Sequence, residues 1–245
     1  MLIPIVGFFL IAMLYSAAGF GGGSSYLALL VLVGWKAQSF AAVALSCNLV
    51  VTGQGAWFLA RNGYLKWKDI LPFVVASIPM ALLGGLYKIR TDIWFIILGT
   101  SLILSGLALL IPQKNEGRDL EQVSRKFLWI LGIGLGTVLG FLAGLVGIGG
   151  GIFLSPILHF LKVGKSREIA ALATAFILLN SASGLLGQVL KAGIPDRFAA
   201  GLALIGAVVL GGNIGSRWAT HFLSNSALRY WTAVLVITAG VRILW

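Results

Sequence analysis

Eight runs in this chain contain no charged residue: 2–34, 37–60, 70–86, 93–111, 127–158, 169–190, 198–216 and 230–241. About 20 apolar residues cross the hydrocarbon core of a bilayer as a helix, and several runs reach that length. Only 10% of the 245 residues are charged and 59% are hydrophobic, where a soluble domain carries about a quarter charged. A chain built this way is an integral membrane protein.

The net charge of +11 does not indicate nucleic acid. Its Lys and Arg stand singly or in small groups between apolar runs, as membrane-flanking residues do, and form no continuous basic stripe. The single cysteine, Cys47, lies in an apolar run and can form no intrachain disulfide. Residues 1–18 resemble a signal peptide in hydrophobicity but lack a basic start and recur at mid-chain, so they are read as part of the mature protein.

The chain repeats itself. Gly19-Phe20-Gly21-Gly22-Gly23 matches Gly147-Ile148-Gly149-Gly150-Gly151, and further on Gly34 matches Gly164, Arg61 matches Lys191, and Gly63 matches Gly193. Between the halves, 113–126 is the one long polar stretch. The expected organisation is a first membrane repeat at 1–112, a linker at 113–126 and a second repeat at 127–245. Each half reads as a glycine-broken segment (3–34 and 128–162) followed by three spans: 39–60, 69–88 and 93–111, then 168–190, 198–217 and 227–244.

Each broken segment is too long for one straight crossing, and each of its arms is short for a full one. Single irregular crossings would make the halves parallel and divide the 18 Lys and Arg ten against eight. Hairpins would invert the halves and place Arg61, Lys66, Lys68, Lys114, Arg118, Arg125, Lys126, Lys162, Lys165, Arg167, Arg217 and Arg229 on one side, twelve of the 18. Positive charge collects on cytoplasmic loops, which favours the second drawing. The expected fold is therefore an all-α integral membrane protein of two inverted repeats, each a glycine-broken helical hairpin plus three transmembrane helices. The linker falls inside and the termini outside.

Consecutive glycines cost a helix about 1 kcal/mol each relative to Ala, and irregular backbone is tolerated in hydrocarbon only where protein or a polar cavity surrounds it. A helix restarting after each break, near Ser24 and near Ile152, offers unpaired N–H groups and a partial positive charge to an anion. The expected substrate site is Gly21, Gly22, Gly23, Ser24, Ser25, Gly149, Gly150, Gly151 and Ile152. Ser46, Asn48, Gln54, Thr174 and Asn180 could complete it from the following spans; for the amides, ligand contact and helix–helix bonding weigh equally. Gly132, Gly136, Gly140 and Gly144, spaced by four, are read instead as a packing ridge, matched by small Ala12 and Ser16. His159 is read as interfacial and His221 as a loop residue.

No Asp or Glu lies well inside a span, which argues against a carboxylate proton relay or cation site. Protease and metal-site motifs are absent as well, so neither an enzyme nor a bound cofactor or metal is expected.

The paired breaks, the glycine-lysine turns and the two similar halves resemble the TauE/SafE sulfite exporter family, also called TSUP. Gly147 to Pro156 carries the strongest likeness; the first copy departs from it, with Ser24-Ser25-Tyr26 where the second has Ile152-Phe153-Leu154. The resemblance covers essentially the whole chain. It implies export of small sulfur-containing anions, sulfite or organosulfonates, across the inner (plasma) membrane. An anion channel, an uptake permease for sulfonates or thiosulfate, and a scaffold without transport are the competing readings. Expected partners are a small anionic substrate and the lipid bilayer; the oligomeric state is left open, a homodimer included.

Overall fold

The computed structural model describes residues 2–18, 21–34, 40–111, 117–193, 198–218 and 225–245. Gly19 and Phe20 of the first break, Lys36, Lys114, Asp196, Arg197 and His221 lie outside them. The described residues form ten α-helices in order: α1 (Leu2–Ala18), α2 (Gly23–Leu32), α3 (Phe40–Arg61), α4 (Trp67–Leu86), α5 (Thr91–Leu110), α6 (Arg125–Val146), α7 (Gly151–Phe160), α8 (Ser166–Ala192), α9 (Phe198–Trp218) and α10 (Asn225–Leu244). No strand occurs among the described residues. Among the described residues five helices (α3, α4, α5, α6 and α8) are long and apolar enough to cross a membrane, so α6, expected as an arm too short for a full crossing, is at 22 residues long enough for one. The six spans expected after the breaks match their helices to within two residues at either end.

Leu83, Ile96, Leu104, Ile130, Leu190 and Leu210 are each more than half exposed, while Asn48, Thr52, Ser77, Thr174, Asn180 and Ser181 are buried. Polar groups inside and a continuous apolar exterior suit hydrocarbon as solvent.

The helix contacts obey an exchange rule. α4 packs on α6 and α1 on α9; α4 on α8 and α3 on α9; α2 on α10 and α5 on α7; α2 on α3 and α7 on α8. Substituting α6–α10 for α1–α5 reproduces the set, with α3–α8 and α5–α10 mapping onto themselves. These two self-paired contacts are antiparallel. A β-carbon on Gly55 would lie 3.3 Å from Thr174 Cγ2, and one on Gly184 3.5 Å from Leu45 Cδ1. Gly99 likewise faces Leu244, and Gly106 faces Ala233.

The helices flanking the breaks also double back. Phe8 stacks on Tyr26 with ring centroids 4.6 Å apart; Gly7 faces Leu29 and a β-carbon on Gly22 would lie 2.8 Å from Ile11 Cγ2, so α1 and α2 run antiparallel. In the second half, Arg118 N–H donates to Lys162 O at 3.0 Å and Gly164 N–H to Arg118 O at 2.9 Å. That short ladder brings the end of α7 back to the linker from which α6 departs.

The same end of the molecule gathers a charge network. Lys66 pairs with Glu121 at 2.7 Å, Lys165 with Asp119 at 2.8 Å, and Arg125 with buried Asp69 at 2.8 Å. Arg167 donates to the Tyr64 hydroxyl with its guanidinium over the ring. The Lys165 ammonium holds the Asp119 carboxyl down to about 2, so the pair stays charged at any physiological pH. The α3–α4 loop, the linker and the α7–α8 loop thus share one face.

Close approach between α4 and α6 depends on the glycine ridge. β-Carbons on Gly132 and Gly140 would lie 2.7 Å from Pro72 O and 2.5 Å from Ser77 O, and on Gly144 against Ala81 O. The counterpart seam between α1 and α9 uses Gly211 against Phe9 O and Gly215 against Met13 O, and Ser16 Oγ donates to Gly212 O at 2.9 Å. Gly140→Val should therefore force α4 and α6 apart, costing about 1–3 kcal/mol and lowering the melting temperature in detergent by several degrees. Gly134→Ala on the exposed face, where nothing lies within 4 Å, should leave it unchanged.

Candidate functional site

The restarted helices begin one residue earlier than expected, at Gly23 and Gly151. Their N-cap positions are Gly22 (φ −91°) and Gly150 (φ +76°), and neither has a side chain capping it. The first helical bonds run from Tyr26 N–H to Gly22 O at 2.8 Å, and from Phe153 and Leu154 N–H to Gly150 O at 3.2 and 3.3 Å. N–H groups ahead of these have no partner within their own helix. Gly149, also left-handed at φ +79°, supplies the reversal that an L-residue resists by about 1–2 kcal/mol.

The two breaks lie side by side, and Asn48 stands between them. Its Nδ2 donates to Ile148 O, a long bond at 3.4 Å. Only an amide nitrogen can meet a carbonyl there, so Oδ1 is left facing Gly21, where a β-carbon would lie 3.0 Å from it. Gly23 abuts the same amide nitrogen, and a β-carbon on Gly149 would lie 2.9 Å from it.

Ile177 on α8 occupies the corresponding place. A β-carbon on Gly21 would meet Asn48 Oδ1, Ile177 Cγ2 and Thr52 Cγ2, each at 3.0 Å. One on Gly149 would meet Ile177 Cγ2 at 2.7 Å, Asn48 Nδ2 at 2.9 Å and Ser181 Oγ at 3.2 Å. Asn48 thus exchanges with Ile177, and Thr52 with Ser181. The two halves wrap the breaks alike but present different chemistry: an amide from α3 and a branched alkyl group from α8.

Three side chains secure the backbone around the second break. Gln188 Nε2 donates to Gly144 O at 3.0 Å and Trp94 Nε1 to Leu145 O at 3.0 Å, and Asn48 serves Ile148 O as above. Gly144 O and Leu145 O lie in the last turn of α6, where intrahelical donors have run out, and Ile148 O lies in the break just beyond it.

Several polar atoms here are buried with no hydrogen-bond partner among the described residues: Asn48 Oδ1, Ser24 Oγ and Ser181 Oγ, on residues at most 1% exposed. Thr52 instead satisfies its hydroxyl on Asn48 O at 2.6 Å. No Asp, Glu, Lys or Arg occurs in 2–34, 37–60, 127–158 or 169–190, so the segments that build the site carry no formal charge.

Not every expected residue gathers here. Ser25 is tied to Tyr15, and Ser46 Oγ donates to Ala42 O at 2.8 Å within its own helix. Thr174 Oγ1 likewise donates to Ala170 O at 2.7 Å, and its methyl faces Gly55 on the α3–α8 seam. Gln54 Oε1 lies against Gly212 on α9, and Asn180 is buried with neither amide atom partnered among the described residues. Ile152, partly buried, packs beside the central core. Ile177 and Trp94 were not anticipated. Carrying the drift of the repeat offset from 128 to 130 through α3 would have pointed to the neighbourhood of Ile177.

The sulfite exporter TauE/SafE family model matches residues 4–243. The chain belongs to this family. A probable membrane transporter protein, y4hK, of Sinorhizobium fredii (strain NBRC 101917 / NGR234) is 29% identical over 98% of this chain and 96% of its own length. A second, YunE of Bacillus subtilis (strain 168), is 27% identical over 82% of each chain. No solved structure matches. This TauE/SafE protein is accordingly a multi-pass membrane transporter, and the paired breaks are the natural candidates for its substrate site.

Gly149→Ala and Gly34→Ala separate strain from contact. Both glycines have φ near +76° to +79°, but Gly34 has nothing within 4 Å. Thermal unfolding should show a loss of about 1–2 kcal/mol for Gly34→Ala and a larger one for Gly149→Ala, which must also displace Asn48 and Ile177.

Proposed function

We propose that this transporter exports small sulfur-containing anions, sulfite or organosulfonates, across the inner membrane. The substrate is held near the midplane by the N-termini of α2 and α7 together with Asn48. The observation that carries this reading is the convergence of two uncapped helix starts on buried, unpartnered polar atoms within segments free of formal charge. Helix N-termini attract anions through their free N–H groups and dipole without any basic side chain. Broken helices at matching places in two repeats are where transporters bind substrate.

The proposed architecture is a pair of inverted repeats, 1–112 and 127–245, joined by 113–126. The antiparallel α3–α8 and α5–α10 pairs support it, as does the exchange rule among the contacts. The shared face of the α3–α4 loop, the linker and the α7–α8 loop carries Lys66, Lys68, Arg118, Arg125, Lys162, Lys165 and Arg167. The positive-inside tendency assigns that face to the cytoplasm, which puts both termini outside. Asn48 stands about 12 Å along α3 from its first residue and about 20 Å from its last, at 1.5 Å per residue, which is mid-membrane for a crossing helix. Alternating access then amounts to rocking one repeat against the other around this site.

Outward movement agrees with the energetics. An inside-negative potential favours expulsion of a monoanion by about 2.3 kcal/mol per 100 mV, so export needs no coupled ion. In proteoliposomes, sulfite efflux should saturate with concentration. Gly22→Leu and Gly150→Leu, which fill the breaks, should abolish efflux in protein that remains monodisperse, and Asn48→Ala should reduce it. Unaltered efflux from folded variants would sink this site.

A further inference from the structure

The site has a specific electrostatic and hydrogen-bonding demand. Each helix N-terminus carries about half an elementary positive charge, so two of them together balance about one negative charge. No Lys or Arg from the surrounding segments 2–34, 37–60, 127–158 or 169–190 can add to this. The cost of taking an ion out of water rises with the square of its charge, so a dianion pays about four times the desolvation of a monoanion for the same offset.

The second demand is for a donor. Asn48 Nδ2 is committed to Ile148 O, which turns Oδ1 toward the Gly21 break. That oxygen is buried with no partner among the described residues, and it can only accept. A buried acceptor left unmade costs about 1–3 kcal/mol, and a fully ionised oxyanion, itself acceptor-only, cannot relieve it. Ser24 and Ser181 hydroxyls, also unpartnered, can donate to anionic oxygens. The site therefore asks for one negative charge, several acceptor oxygens and one proton to give.

We propose that the bound and transported form is the singly protonated monoanion of an oxyacid, hydrogensulfite rather than sulfite, with Asn48 Oδ1 accepting the ligand's own proton. This rests on the reading of the breaks as a sulfur-anion site. Selection is then against dianions by charge and against proton-free sulfonate monoanions by the unmet acceptor. The proton involved belongs to the ligand. The titratable side chains in the charge-free segments 2–34, 37–60, 127–158 and 169–190 around Asn48 are Tyr15, Tyr26 and Cys47, with Arg61 at the far end of α3 and His159 at the far end of α7. Cys47 and His159 are the two whose ordinary ranges approach neutral pH.

The test is calorimetric titration of purified protein with sulfite at fixed ionic strength from pH 6 to 8.5, alongside sulfate and methanesulfonate. Affinity expressed per total sulfite should fall about tenfold per pH unit once the solution pH exceeds the anion's second pKa, with sulfate undetected and methanesulfonate weaker than hydrogensulfite. The same profile is expected in Cys47→Ala and His159→Gln, whereas Asn48→Ala should narrow the gap between hydrogensulfite and methanesulfonate. Affinity that is flat or rises with pH would overturn the protonated form while leaving the site intact. Absence of binding by any of the three anions at every pH would overturn the sulfur-anion reading itself.

Discussion

Everything in this fold follows from one constraint: inside hydrocarbon, a backbone group without a partner costs several kcal/mol. A chain that interrupts two of its helices with glycine must find substitutes for the lost bonds. Gln188 and Trp94 meet carbonyls that α6 leaves open in its last turn, and Asn48 meets Ile148 O in the break beyond it. They come from α8, α5 and α3, so the second break ties helices of both halves together. The helix starts on the other side of each break remain uncapped. Around the second break carbonyls are met by protein side chains while the helix starts carry no side-chain cap, and the proposed anion site rests on that asymmetry.

Packing serves the same end. The glycine ridge of α6 lets its backbone lie against α4, and Gly211 and Gly215 do so for α9 against α1. Such close contact depends on dispersion and shape, because lipid offers no hydrophobic drive between helices. Between these packed helices the two short helices, α2 and α7, begin at buried glycines inside the molecule. At the charged face, ion pairs join the linker to the α3–α4 and α7–α8 loops. Exposed pairs of this kind contribute little stability; their effect is to fix which loops share a side.

Much of this was legible in the sequence because it depends on local rules. Charge-free runs marked the spans, GGG marked the breaks, and spacing by four marked Gly132 to Gly144 as a ridge. The distribution of Lys and Arg grouped the α3–α4 loop, the linker and the α7–α8 loop, and ion pairs from Asp119 to Lys165 and from Glu121 to Lys66 join those loops; the inverted topology drawn from that distribution belongs to the proposal. Assigning polar residues to the breaks was less accessible, because it depends on helix rotation. Ser46 and Thr174 point their hydroxyls back at their own helices, an option every mid-helix Ser or Thr has. Ile177 escaped notice because it is apolar, yet it stands where Asn48 stands in the other half. Two copies of one motif have thus diverged into a polar and an apolar wall around a common space.

The most direct measurement is anion binding to purified protein by titration calorimetry, comparing the native chain with Asn48→Ile, which gives the first wall the side chain of the second. Sulfite should bind the native protein and not the variant, which should stay folded and monodisperse but melt at a lower temperature because Ile148 O loses its donor. Equal sulfite affinity in the two, with the variant folded, would contradict a site built between the breaks.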